Sequence, residues 1–229
     1  KSISKSFGNE KILDDASFTL EYGKLTALFG KSGCGKTTLA NIIAMYLKPD
    51  QGKIIMDDMD IFELKGKERR KKRKDIQLIS QHPYMAFDPN KTVFNSISEG
   101  PLFLKLATKK SIDEYLEQYL DILKIDRDLL DRYPSKLSGG QLQRASIARA
   151  IAVKPKLLIA DEITSSSDPI MQREIAETMK DLCKLGLSVL FITHNIKLGL
   201  YIANDALLLK GGRIYPFSSS AGRSGPASP

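Results

Sequence analysis

Residues Leu25–Thr38 constrain this chain more than any others. They read LTALF, then GKSGCGK, then TT, and run on into LANIIAMYL. The first five are an unbroken apolar run of strand length, suited to burial on both faces. The last nine carry apolar residues at helical spacing and stop at Lys48-Pro49. Between them, Gly30–Thr37 fits G-x-x-x-x-G-K-[ST]. Strand, glycine-rich loop and helix in that order form a phosphate-binding loop. The backbone N–H groups of Gly30, Lys31, Ser32, Gly33, Cys34 and Gly35 can then face phosphate oxygens. The helix beginning near Lys36 adds the positive end of its dipole. Lys36 brings a point charge to the β- and γ-phosphates. The Thr37 hydroxyl suits a magnesium ligand, with Thr38 beside it in the same turn. A glycine turn holding a chance lysine would need neither the strand nor the helix. The motif implies a nucleoside triphosphate with Mg2+.

Leu157–Glu162 is LLIADE, an apolar strand ending in two acids. In open α/β sheets, ligands bind outside the carboxyl ends of the strands. Asp161 is placed to hold magnesium through water, and Glu162 to polarise an attacking water as general base. Many apolar runs end in acids; the phosphate-loop lysine 126 positions earlier (162 − 36) gives this one its weight. Leu137–Gln141, LSGGQ, precedes an amphipathic helix with Leu142, Ala145, Ala148, Ile151 and Ala152 near one face. Ser138, Gly139, Gly140 and Gln141 thus form a second helix start able to take an anion. One nucleotide cannot easily use two such sites in one chain. The economical reading is two chains that complete each other's sites; the alternative is a glycine-rich N-cap.

The rest of the chain alternates strand and helix. Ile76–Ser80 and SVLFIT (Ser188–Thr193) read as buried strands, and Lys53–Met56 as a strand-like patch. Asp168-Pro169 opens a helix, with Asp as N-cap and Pro at the first helical position. SIDEYLEQYLDILKI places Ile112, Tyr115, Leu116, Tyr119, Leu120 and Leu123 on one face. Ala206–Lys210 and Arg213–Tyr215, joined by Gly211-Gly212, read as a terminal hairpin. Such alternation implies an α/β domain over residues 1–215 with a mainly parallel core sheet, and a helical lobe inserted over about residues 88–155. Residues 216–229, PFSSSAGRSGPASP, are small, polar and proline-rich, and are expected to be a disordered tail, natural or left by cloning.

The net charge is +8, but Lys65–Lys74 (KGKERRKKRK) holds eight basic residues and one acidic. The excess is therefore one local cluster. It reads as a solvated helix face, as a contact for anionic lipid headgroups, or as a nucleic-acid contact. No aromatic residue interleaves these charges, so bases have no stacking platform and specific nucleic-acid binding is not expected. No run of about 18 apolar residues is present, which excludes a membrane-spanning helix. Lys1–Phe7 lacks the apolar region of a signal peptide and reads as a chain entered partway through its first strand. Two cysteines, Cys34 and Cys183, make no disulfide framework and suit a reducing cytosol. Cys34, inside the loop, is expected to be partly exposed. Two histidines leave little material for structural zinc.

GKSGCGKTT, LSGGQ and LLIADE, in that order along the chain, resemble the nucleotide-binding domain of ATP-binding-cassette (ABC) proteins. The resemblance covers roughly Lys1 to Tyr215. It implies a P-loop NTPase core with a mainly parallel sheet, an N-terminal antiparallel β part and an inserted α-helical subdomain. By the same resemblance, Gln81 senses the γ-phosphate, ligates magnesium and meets the membrane partner. Asp168 belongs to a loop crossing the dimer interface, His194 contacts the γ-phosphate, and Phe7 stacks on adenine. Two positions depart from the pattern. Ile163 follows the acid pair where proline is commoner. Ser167 stands where leucine is usual, which would loosen packing across the dimer.

Gln81–Val93, QHPYMAFDPNKTV, is similar to the Q-x-P-Y-x-x-x-x-P-x-x-T-V run of oligopeptide, dipeptide and nickel importer ATPases. That subfamily's long C-terminal extension does not follow Tyr215, so the chain reads as cut short or as a compact member. The implied function is the ATP-hydrolysing, energy-coupling subunit of an importer for oligopeptides, dipeptides, nickel or chelated metal. It would sit peripherally on the cytoplasmic face of the cell membrane. The implied partners are a second ATPase subunit, identical or different and paired head to tail, two transmembrane permease subunits and, indirectly, a solute-binding protein. The alternatives are an exporter ATPase subunit, usually fused to membrane helices, or a soluble ABC ATPase acting on nucleic acid or ribosomes. The soluble type usually carries two cassettes or a long coiled-coil insertion.

Overall fold

The computed structural model describes residues 1–165 and 168–217. Ser167 and residues 218–229, and the expectations attached to them, lie outside the described residues. The chain opens with an antiparallel pair, β1 (Ile3–Phe7) and β2 (Glu10–Ala16). β3 (Leu25–Phe29) leads into α1 (Lys36–Ile43). A two-residue pair, β4 (Ile55–Met56) and β5 (Met59–Asp60), precedes the basic helix α2 (Gly66–Asp75) and β6 (Ile76–Ile79). Then come α3 (Val93–Phe103), α4 (Ile112–Leu123) and α5 (Gly139–Ile151). β7 (Leu157–Asp161), α6 (Pro169–Lys184), β8 (Ser188–Ile192) and α7 (Ile196–Ile202) follow, and β9 (Asp205–Lys210) turns back into β10 (Arg213–Pro216).

The main sheet runs β10-β9-β3-β8-β7-β6, parallel throughout except for β10. Every residue of β3, β7 and β8 is buried, as their apolar runs require. Strand alternation divides them between two cores. Leu158, Ala160, Val189 and Phe191 face α5, α6 and the helical insertion. Leu157, Ile159, Leu190 and Ile192 face α1 and the antiparallel pair. Each of these side chains except Ala160 contributes about 1.5–3 kcal/mol on burial. The sheet is thus clamped from both sides, and its carboxyl ends are held at fixed positions.

Two elements are shorter than their patterns suggested. α1 stops at Ile43, because Met45 adopts a left-handed φ of 61° and the N–H groups of Tyr46 and Leu47 both return to the Asn41 carbonyl. The patch at Lys53–Met56 keeps only Ile55 and Met56 in a strand, since its single partner is the equally short β5. Among the described residues no helix is long and apolar enough to cross a membrane.

At the other end the order extends further than expected. Pro216 closes β10, one residue past the expected boundary at Tyr215. The Phe217 N–H donates to the Ala206 carbonyl at 2.8 Å, and its ring lies edge-on to Phe29, centroids 4.9 Å apart. Phe29, fully buried, is the last residue before the glycine loop. Gly199 of α7 presses on the same ring: a Cβ there would lie 2.5 Å from it. Phe217→Ala is expected to lower stability by about 1–2 kcal/mol, the half-buried share of a Phe→Ala truncation, or about 3–6 °C in melting temperature. A thermal melt indistinguishable from wild type would remove Phe217 from the fold.

Candidate functional site

Four parallel strands deliver their carboxyl ends to one edge of the sheet. β3 ends at the glycine loop, β6 just before Gln81, β7 at Asp161 and β8 just before His194. Gly35 makes the turn from loop to helix: its φ of 104° is left-handed, and a Cβ would lie 2.8 Å from Ile12. The loop therefore packs against β2. A cleft of about 290 Å3 opens here, lined by Phe7, Ile12, Ser32, Gly33, Gly35, Lys36, Thr37, Thr38, Gln81, Asp161 and Glu162. Gly30, Lys31 and Cys34 complete the loop, and Cys34 is half-buried.

Lys36 is the centre of the arrangement. Only 4% of its side chain is exposed. Its Nζ donates to the Gly30 and Lys31 carbonyls, both at 3.0 Å, and stands 3.4 Å from Glu162 Oε1. Glu162 Oε2 lies 3.7 Å from His194 Nδ1. Lys36, Glu162 and His194 thus form a line from the buried loop to solvent, His194 being well exposed. Glu162 lies one residue past the strand, with a left-handed φ of 52°, and its N–H donates to the Ile192 carbonyl at 3.0 Å. A non-glycine residue held there costs about 1–2 kcal/mol. That turn swings its carboxylate off the strand direction, where Asp161 remains.

Asp161 is buried, and its Oδ1 has no hydrogen-bond partner among the described residues. Burial pushes its carboxyl above the usual range; a hydrogen bond from Thr37 and the Lys36 charge pull the other way, while Glu162 adds to the rise. Gln81 donates its amide N–H to Ser165 Oγ at 2.9 Å, which leaves its carbonyl oxygen available. The Thr37 hydroxyl, the unpartnered Asp161 oxygen and the Gln81 carbonyl form an oxygen set suited to a hard divalent cation.

The other expected residues lie elsewhere. Ser138 and Gln141 form a reciprocal capping box at the start of α5: the Ser138 N–H donates to Gln141 Oε1 at 2.9 Å, and the Gln141 N–H to Ser138 Oγ at 3.3 Å. Neither they nor Gly139 and Gly140 line the cleft. A Cβ at Gly139 would meet nothing within 4 Å, and one at Gly140 only the flexible tip of Met171. Asp168 caps α6, its Oδ1 accepting from the Ile170 and Met171 N–H groups at 3.0 Å. Sequence reasoning missed Ile12 and Ser165. Ile12 sits on a strand too irregular to read, with register shifts in the pairing of β1 and β2. Ser165 meets a partner 84 positions away.

The family model described as ABC transporter matches residues 13–165. A nickel import ATP-binding protein, NikE, of Shigella boydii is 38% identical over 228 residues, covering 94% of this chain and 84% of that protein. A peptide import ATP-binding protein of Brucella ovis is 35% identical over 211 residues, covering 92% of this chain and 67% of its own length. Among solved structures, the dimeric post-hydrolysis state of the ATP-binding cassette MJ0796, bound to ADP and Pi, superposes with a TM-score of 0.82 at 26% identity, covering 96% of this chain and 98% of that one. By sequence match and shared architecture, the chain belongs to the ABC transporter family as an ATP-hydrolysing cassette.

Proposed function

We propose that this protein is the energy-coupling ATPase subunit of an importer for oligopeptides, dipeptides, nickel or chelated metal. The observation that carries the reading is the meeting of Lys36 and Glu162 at 3.4 Å beside the unpartnered Asp161 oxygen. In this reading the loop N–H groups and Lys36 take the β- and γ-phosphates, which displace the carbonyls and carboxylate now around the ammonium. Glu162, released from Lys36, holds the proton of the attacking water. His194, 3.7 Å from Glu162, reaches the γ-phosphate from the solvent side. Phe7, half exposed at the cleft mouth, offers a ring for the base. Thr37, Gln81 and Asp161 would hold Mg2+, which supplies charge stabilisation for the phosphates.

Ser138–Gln141 serves a second copy, identical or different, in head-to-tail pairing. Among the described residues no packing requires glycine at 139, and Gly140 faces only a movable methionine tip. Small residues at a helix start without an internal need suit close approach by a phosphate from outside. Asp168, just past the loop that holds Ser165, would lie at the same junction. Peripheral association with two permease subunits at the cytoplasmic face follows from the importer reading, as does the indirect link to a solute-binding protein.

Lys36→Ala is expected to weaken ATP binding at least tenfold, the loss of charge-assisted bonds worth about 1.5–3 kcal/mol, and to lower hydrolysis with it. Isothermal titration and phosphate release measure both, and unchanged values would refute the loop assignment. Glu162→Gln should retain ATP binding while hydrolysis falls about 10²–10⁴-fold. The ATP-bound pair should then accumulate in size-exclusion chromatography, and a loss of less than about tenfold would place the base elsewhere. Asp161→Asn tests the cation site through pH. A raised folded-state pKa means that ionising Asp161 costs stability as pH rises from the ordinary Asp range through the raised value. Without nucleotide, the variant should therefore match wild type in mild acid and melt higher than wild type near neutrality. With ATP and Mg2+ the order should reverse. Equal gains from Mg2+ in both proteins would remove Asp161 from the site.

A further inference from the structure

The helix α2 carries a charge pattern that nucleotide chemistry does not use. Lys67, Arg70, Lys71 and Lys74 stand at i, i+3, i+4 and i+7, one helical face. Lys67, Arg70 and Lys71 are exposed and Lys74 is half-buried. Among the described residues none of the four makes an ion pair. Lys72 points the other way: it is buried, and Asp57 Oδ2 accepts from it at 2.5 Å and from Lys156 at 2.6 Å, while Tyr22 donates to Asp57 Oδ1 at 2.6 Å. Arg73 lies over the Tyr46 ring at 5.3 Å. Gln77 Nε2 donates to the Arg73 and Lys74 carbonyls and closes the end of the helix. The helix is thus pinned by its inner cation, with four cations directed outward.

Two simpler accounts leave a remainder. Cations in the last turn favour the helix dipole, but Lys67 stands in the first turn, where the dipole opposes it. General solubility needs charge, yet not one sign on one face. The pairs Lys67–Lys71 and Arg70–Lys74, both i,i+4, repel each other and weaken the helix. The single acid of the helix other than its last residue, Glu68, lies about 100° round from Lys67. An anionic partner would turn the repulsion into attraction.

We propose that this face of α2 binds anionic phospholipid headgroups and lays this side of the protein against a membrane surface. The proposal rests on the membrane-associated reading above. A lipid surface presents anionic charge without register and takes cations as point charges. A nucleic-acid partner would find no aromatic side chain among the four for stacking. Each cation near such a surface raises partitioning about fivefold, so the set contributes about 10²–10³-fold.

The full chain is sedimented with vesicles of phosphatidylcholine alone or mixed with phosphatidylglycerol. Binding is expected only to the mixed vesicles and should be lost in 1 M salt, where the screening length is about 3 Å. The variant K67Q/R70Q/K71Q/K74Q should lose about 10²–10³-fold, and K67Q/K71Q about 25-fold. A control, K105Q/K109Q/K110Q/K124Q, changes net charge equally at exposed positions off α2 and should bind nearly as wild type. Equal losses in control and test variants, absence of wild-type binding, or tighter binding of a duplex oligonucleotide at physiological salt would overturn the proposal. ATP hydrolysis is measured on the same samples. Intact hydrolysis without vesicle binding sinks the lipid face alone, whereas absent wild-type hydrolysis sinks the functional reading. Melting curves of both α2 variants should match or exceed wild type, because like-charge repulsion is relieved.

Discussion

A lysine ammonium with 4% of its side chain exposed cannot be left unpaired, and the site is built around that demand. Two of its partners are carbonyls of the loop that carries it, so loop conformation and lysine position define one another. The third, Glu162, comes from a strand that does not neighbour β3. β8 lies between β3 and β7, which puts their backbones about 10 Å apart at ordinary strand spacing. Lys36 at the start of α1 and Glu162 one residue past β7 nevertheless meet, Nζ to Oε1, at 3.4 Å. The left-handed turn at Glu162 is what aims the longer acid sideways while the shorter one stays along the strand. The acid pair is thus a division of labour set by side-chain length and one backbone angle.

That arrangement holds only because the sheet beneath it does not bend. β3, β8 and β7 are buried on both faces, and alternate side chains feed two separate cores. Phe29 shows how closely packing bears on the loop. It ends β3, touches Gly199 with no space for a Cβ, and meets Phe217 from the hairpin's far end. Gly30 follows at once, and from it comes one of the carbonyls on Lys36. The stiffness of the core is therefore transmitted to the ammonium through a single residue.

What the amino-acid order made legible was whatever keeps its chemistry contiguous. The phosphate loop, the acid pair and the glycine-rich helix start at Ser138 each lie within a few residues. The parallel core followed from apolar runs flanked by helices. What stayed hidden depended on distant pairing. Ser165 matters because Gln81, at the end of another strand, needs an amide acceptor. Ile12 matters because Gly35 presses on it. Asp57 draws together Tyr22, Lys72 and Lys156 from three separate segments, and no local pattern marks it. Phe217 falls in the segment expected to be a disordered tail, and its backbone bond to Ala206 and its edge contact with Phe29 make it part of the fold. Composition misleads where one long-range contact outweighs it.

The proposed pairing adds a constraint that no single chain can express. The cleft has a glycine loop, a set of oxygen donors and an acid pair, but the LSGGQ signature, with its glycines at 139 and 140, lies outside it. If the signature of one chain approaches the phosphate loop of another, a two-fold axis makes the reverse contact at the same time. Two complete sites then form together or not at all. A head-to-tail contact without that axis would complete one site and leave an unfilled loop and signature at its ends, open to further addition. Closure about a two-fold, or a pseudo-two-fold when the partner is a different subunit, is therefore the arrangement that completes both sites while limiting the assembly to two. Each nucleotide would then report the presence of the other through the shared interface. In the proposed pairing, separation of the signature from the cleft, which looks like a defect in one chain, would make hydrolysis conditional on both chains.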